Sequence, residues 1–287
     1  MPYTDPRDEL LTRLTSRQLD DGGFGQLPHQ PSRSDPTAWA GAALRALDPA
    51  LPELAAVLER LESWQQPDGR VPVAADQLDA AWPTSLALAA WTGIPGHEAA
   101  ADRSAAFLIA TSGVHISPDP DSPVGHDTSI VGWSWTDGAH SWVEPTALAV
   151  LALTSSGHGA DPRVDEARRM IADRQLPDGG WNYGNTIVFD VELEPTAEGT
   201  GPALAALAGW GTTAAVEGSL SHAADVWRQL TTPVAAGWVL MGLTAWNRRP
   251  GDASAAVSAI LERSERFGGY TTEQLSLLAL GLAGGFG

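Results

Sequence analysis

The sequence predicts an all-α fold in which six inner and six outer helices close into an (α/α)6 barrel, with residues 1–287 as one domain. Three observations carry this expectation: a turn phrase that recurs, an alternation of charged and uncharged helical runs, and prolines that open most of the uncharged runs. The phrase reads Gln-x-x-Asp-Gly-x-apolar and occurs at Gln18-Leu-Asp-Asp21-Gly22-Gly-Phe24, Gln65-Gln-Pro-Asp68-Gly69-Arg-Val71 and Gln175-Leu-Pro-Asp178-Gly179-Gly-Trp181. A turn repeated between helical runs means an array of similar units, none of which can bury its apolar face alone.

The charged runs fall at roughly 5–18, 50–66, 97–111, 161–175, 217–230 and 252–266. In the second, Leu54, Leu58 and Leu61 form one apolar stripe while Glu53, Glu59, Arg60 and Glu62 face away from it, as in an outer helix. The uncharged runs fall at roughly 36–47, 83–92, 145–155, 195–209, 233–247 and 271–283, and a helix apolar all round is buried all round. Pro36, Pro83, Pro145, Pro195 and Pro233 sit at the start of five of them, where proline loses no needed hydrogen bond. Thr37, Thr84, Thr146 and Thr196 follow four of these prolines, and Thr271-Thr-Glu-Gln274 reads as a capping box for the sixth run. All inner-helix N-termini then converge on one mouth, presenting unpaired amides and positive dipole. Two long loops, about 112–142 and 176–194, lie at that end; loops of this length in a compact domain usually carry function.

Composition narrows the function classes. The net charge is −18, all 17 basic residues are arginine, and no basic run exists, which argues against nucleic acid and anionic membrane surfaces as partners. The absence of cysteine removes disulfides, thiolate zinc sites and cysteine nucleophiles. No apolar run approaches the ~20 residues of a membrane span. The opening Met1-Pro-Tyr-Thr-Asp-Pro-Arg-Asp-Glu has no leader pattern, so a cytoplasmic location is expected. P-loop, dinucleotide-binding and nucleophile-elbow motifs are all missing.

The Gln-x-x-Asp-Gly-x-Trp turn, followed by Thr-Ala and an Ala/Leu-rich helix, resembles the repeat of squalene–hopene cyclases and related terpenoid cyclases, also described as the prenyltransferase and squalene oxidase repeat. The resemblance covers most of residues 17–283. It implies a small hydrophobic isoprenoid ligand and acid-initiated cyclisation or isomerisation, the work of an isomerase or lyase. In that family an Asp-x-Asp-Asp-Thr-Ala segment opens one inner helix and its middle aspartate is the proton donor. This chain has no Asp-x-Asp-Asp. Alignment on Thr-Ala places Glu192-Leu-Glu194-Pro195-Thr196-Ala197 over it, with Glu194 on the donor's position and Glu192 beside it. Trp142-Val-Glu144-Pro145-Thr146-Ala147 and Ser34-Asp35-Pro36-Thr37-Ala38 match less fully, making Glu144 a further catalytic candidate.

Protonating an alkene needs an acid in a dry site and aromatic faces for the cation. Trp133, Trp135, Trp142, Trp181 and Tyr183 are the expected faces, and His140, Asp127 and Asp35 join them as expected substrate-binding residues. Each has a structural alternative. The acids would cap inner helices, Trp181 and Phe24 would pack between helices, and Trp39, Trp91, Trp210, Trp238 and Trp246 would either fill the axis or line a pocket. His115, Asp119, Asp121, His126, Asp127, Asp137 and His140 cluster in one loop but fit no metal-binding spacing, so neither metal nor cofactor is expected; magnesium is called for only with a diphosphate substrate. Protein prenyltransferases share the barrel but use a cysteine zinc ligand that is missing here. Two other classes remain open: a carbohydrate-active (α/α)6 enzyme using Glu144, Asp127 and Glu194, and a non-catalytic binding or scaffold barrel. Oligomeric state, including a homo-oligomer, is left open.

Overall fold

The computed structural model describes residues 5–117 and 123–287, so Asp119 and Asp121 of the loop cluster lie outside the described residues. The outer helices are α1 (Pro6–Thr15), α3 (Pro52–Trp64), α5 (Glu98–Ala110), α7 (Pro162–Asp173), α9 (Thr213–Trp227) and α11 (Ala253–Phe267). The inner helices are α2 (Ser34–Leu47), α4 (Pro83–Trp91), α6 (Val143–Leu153), α8 (Ala197–Leu207), α10 (Pro233–Ala245) and α12 (Thr272–Ala283). Each inner helix packs on the next, α2 on α4 and onward to α12, and α12 packs back on α2, so the ring closes. Burial follows the sequence pattern. The α3 helix buries only Leu54, Val57, Leu58 and Leu61, whereas α10 buries nearly every residue from Pro233 to Leu243. One short hairpin, β1 (Ile187–Val188) with β2 (Val191–Glu192), stands in the second long loop.

The turn phrase has a physical reason at each of its conserved-in-phrase positions. Its glutamine reaches across to the next outer helix: Gln18 donates to Glu53 O at 3.0 Å, Gln65 to Ala100 O at 2.8 Å and Gln175 to Ala215 O at 3.2 Å. Its glycine permits the close approach that this needs. Gly69 has φ +96°, and a Cβ there would lie 2.1 Å from Arg103 O on α5; Gly22 meets Ala56 O on α3 in the same way. The aspartate folds the turn, Asp21 accepting from Gly23 N at 3.0 Å and Asp68 from Arg70 N at 3.1 Å.

The apolar residue ending the phrase is latched to the inner helix that follows. Its backbone N–H donates to a buried threonine hydroxyl: Phe24 to Thr37 at 2.8 Å, Val71 to Thr84 at 2.9 Å and Trp181 to Thr200 at 3.0 Å. Trp133 makes the same bond to Thr146 at 2.9 Å although no turn phrase precedes it. Its indole N–H donates to Leu108 O at 3.1 Å, as that of Trp181 does to Ile171 O at 2.7 Å, and the Arg163 guanidinium stacks 3.9 Å from its centroid. Trp133 and Trp181 are therefore core residues joining outer and inner helices, a correction to their expected place as ligand faces; their N–H groups are satisfied and their rings are enclosed.

The start of α8 also differs from expectation. Thr196 is its N-cap, accepting from Gly199 N at 3.0 Å, so Pro195 precedes the helix rather than opening it. The capping box at Thr271 and Gln274 forms as expected, and α9 begins earlier than the run read from the sequence.

Candidate functional site at the barrel mouth

The threonine latch fixes the register of the inner helices. From the latched residue to its threonine the interval is 13 residues at Thr37, Thr84 and Thr146, but 19 at Thr200. The longer interval accommodates the β1–β2 hairpin. Thr200, not Thr196, is thus the equivalent of Thr37 and Thr146. The residue two places before it, matching Asp35 and Glu144, is Glu198. Glu194, the expected donor, and Glu192, its expected neighbour in β2, are exposed on the hairpin side. Alignment on Thr-Ala slipped because the inserted segment carries its own Pro-Thr-Ala.

Four inner helices consequently place an acid in their first turn: Asp35 on α2, Glu144 on α6, Glu198 on α8 and Glu273 on α12. These four interact across the mouth. Burial pushes the Glu144 carboxyl up to about 7, reinforced by the charges of Glu273 and Glu198 and opposed by the Trp238 indole N–H beside it. Glu273 is raised by burial and then by Asp35. Asp35 is raised by burial even though Arg33 forks onto it at 2.9 and 3.3 Å. The mouth therefore holds more carboxyl groups than it can ionise cheaply, and Glu144 is the one that keeps its proton to near neutrality.

Two indoles form the floor. Trp39 on α2 and Trp238 on α10 are buried and meet edge to face, centroids 6.0 Å apart at 73°. Since α12 separates their helices in the ring, the contact lies inside the barrel. Their N–H groups make no regular hydrogen bond, and that of Trp238 is the one facing the Glu144 carboxyl. On this side the wall is drawn tight: a Cβ on Gly237 would lie 2.5 Å from Leu277 O, so α10 and α12 approach backbone to backbone. An open cleft of about 480 Å3, bordered by Thr232, Arg263, Tyr270 and Gln274, touches the ring at Glu198.

The remaining expected residues fall elsewhere. Trp135 packs edge to face on Trp82 at 5.4 Å, above the N-terminus of α4, where no acid stands. Tyr183 is 58% exposed. Asp127 is occupied by Ser129, which donates from its backbone and hydroxyl at 2.8 and 2.6 Å and holds the carboxyl below its usual range. Trp142 and His140 border a second cleft, of about 390 Å3, between the two long loops. Of the residues named from sequence, only Glu144 and Asp35 share the mouth. Glu198 and Glu273 were missed as site residues, and the Glu198-Gly199-Thr200 spacing was the signal that could have found the first. Trp39 and Trp238 fall under the axis-filling or pocket-lining alternatives named for them. Among the described residues, no group of three or more His, Cys, Asp or Glu is placed to hold a metal ion, and no helix is long and apolar enough to cross a membrane.

No family model and no curated protein matches the chain. Solved structures do. An ent-copalyl diphosphate synthase from Streptomyces platensis is 20% identical with a TM-score of 0.53, over 98% of this chain and 47% of its own, so the chain spans about half of that enzyme. A type II terpene cyclase from Scytonema is 15% identical with a TM-score of 0.53, over 99% of this chain and 84% of its own. An alpha-1,6-mannanase from Salegentibacter sp. is 12% identical with a TM-score of 0.60, over 97% of this chain and 98% of its own. At these identities the likeness establishes the fold alone: the chain is an (α/α)6 toroid.

Proposed function

We propose that this chain is an enzyme whose reaction centre is the ring of first-turn acids, with Glu144 as proton donor in an acid-initiated cyclisation or isomerisation of a hydrophobic isoprenoid. The observation that carries the reading is a half-buried carboxyl, beside the Trp238 indole of an edge-to-face pair, that desolvation and neighbouring acids raise to about 7. A carboxyl of that pKa is a weak acid, so the barrier must fall through stabilisation of the product ion. The same negative neighbours that raise Glu144 would stabilise the carbocation formed when its proton moves to an alkene carbon. The indole faces of the floor would add cation–π attraction. In the step the Glu144 O–H bond breaks, a C–H bond forms from the alkene π pair, and Glu144 is left as a carboxylate. Attack of a second alkene closes the ring and moves the positive charge to a new carbon. Loss of a proton from that carbon's neighbour to Glu198 or Glu273 forms the product alkene, and return of that proton to Glu144 completes the cycle. The recurrent turn followed by Thr-Ala and an Ala/Leu-rich helix, on which the terpenoid-cyclase resemblance rests, supports this substrate class.

A specific observation favours a second reading, hydrolysis of a glycosidic bond. An acid raised to about 7 among the first-turn carboxyls of three other inner helices also suits protonation of an acetal oxygen. One experiment separates the two. The purified chain is incubated with prenyl diphosphates, squalene and epoxides in one arm and with α-linked oligosaccharides in the other, each followed by mass spectrometry. Cyclised or isomerised product that disappears in Glu144→Gln supports the first reading, and sugar release lost in the same variant supports the second. Unchanged turnover in Glu144→Gln overturns the assignment of the centre under either.

A further inference from the structure

The cleft between the two long loops takes no part in the acid ring, yet it gathers the features of a binding site. Its walls are largely apolar, with Val114, Ile116, Ile130 and Trp142 facing a volume of about 390 Å3, within the range of small-molecule sites. Its polar end is built on Arg174, which is 6% exposed at the end of α7. Among the described residues, two of the five guanidinium N–H groups are used, on Gly184 O at 2.7 Å and Asp127 O at 3.4 Å. Its Nε makes no hydrogen bond, having only the Asp173 carboxylate as an ion-pair contact at 3.5 Å. The buried Nδ1 of His126, which borders the same cleft, makes none either. Buried polar atoms are ordinarily paired, and leaving one unpaired costs about 1–3 kcal/mol.

Charge gives the polarity of the missing partner. Burial lowers Arg174 to about 10, outweighing what Asp173 and Asp127 return. His126 is pushed down to about 4 by burial, then by Arg174, with Asp127 opposing and His140 adding to the fall. The cleft thus carries a desolvated, still charged guanidinium beside a neutral imidazole, an end rich in donors. The loops are also fixed in place for such a role. Gly125 N donates to Ile187 O at 2.9 Å and Phe189 N to Pro123 O at 2.8 Å, tying the β1–β2 hairpin to the wall of the cleft.

We propose that this cleft binds a small amphipathic carboxylic acid, its apolar chain against Val114, Ile116, Ile130 and Trp142 and its carboxylate on Arg174. The site is separate from the acid ring and stands whether or not the reading of that ring holds. The test titrates the full chain with octanoate, octan-1-ol and octylamine by calorimetry, with imidazole NMR signals followed in parallel. Octanoate should bind saturably and at least tenfold more tightly than the alcohol or the amine, and it should raise the His126 pKa. Arg174→Gln should weaken octanoate at least tenfold. Because Arg174 also anchors two loop carbonyls, Val114→Trp provides an independent variant: it alters a 42% exposed wall residue and should block the cleft while leaving the melting temperature in place. Octanoate within tenfold of octan-1-ol, undiminished binding in Val114→Trp, or no saturable binding at all overturns the proposal.

Discussion

The mouth ring and the inter-loop cleft are built by opposite means. At the mouth, joints with a repeated hydrogen-bond scheme bring the equivalent position of α2, α6 and α8 to one centre, and the acids there meet one another and Glu273 of α12 because the ring is regular. In the cleft nothing repeats: His126, Trp142 and Arg174 come together because two long segments happen to dock through the hairpin bonds at Gly125 and Phe189. The difference teaches where each kind of side chain is secured. Asp35, Glu144 and Glu198 are positioned by the latch beneath them and Glu273 by the capping box of α12, whereas the cleft is held by bonds its loops make.

The sharpest test removes a latch residue and compares it with a loop residue of the same type. Trp181→Ala, at 0% exposure and with its indole bonded to Ile171 O, should lose about 3–5 kcal/mol in denaturant unfolding. Trp135→Ala, half-buried on Trp82, should lose clearly less; equal losses would break the distinction. Glu144→Gln comes next and acts through pH. The folded carboxyl sits at about 7 against an ordinary 4.5, so the protonated form is favoured by folding. Its contribution is fully present below the ordinary value and is lost as pH rises through 7. The variant should therefore match the parent in acid and exceed its stability by up to about 3 kcal/mol above pH 8, at 1.36 kcal/mol per pH unit. Unfolding curves at pH 4 and 8 check this, and a constant difference between them would disprove the buried, crowded state of Glu144. Thr200→Val leaves the Trp181 amide without its acceptor and should cost about 1–3 kcal/mol by the same measurement. Smallest is Glu194→Gln, an exposed change expected to stay within about 0.5 kcal/mol and to leave turnover unchanged. A loss of turnover there would restore Glu194 to the centre.

The barrel was legible because its signals are local and periodic: the stripe of Leu54, Leu58 and Leu61, the capping box at Thr271, and the three turn phrases. Glu144 and Asp35 were legible because each stands two places before a latch threonine. Glu198 was not, since the inserted hairpin supplies a second Pro-Thr-Ala ahead of the true register. Trp133 misled for the complementary reason. It performs the latch without the glutamine, aspartate and glycine that announce it elsewhere. The Trp39–Trp238 floor depends on contact between helices nearly 200 residues apart in sequence, about which spacing along the chain is silent.

The glutamine clasp has a consequence for how the molecule comes apart. In a stack of repeats the end units have one neighbour and loosen first. Here glutamine clasps link α1 to α3, α3 to α5 and α7 to α9, and the closing seam is sewn by Arg13 of α1 on Ser264 of α11, Arg17 on Tyr270 O and Thr272 of α12 on Gly25 O. A ring stitched in this way offers no end from which unravelling can begin. It resists piecemeal loss until one stitch gives, and then every repeat loses its neighbour's support together.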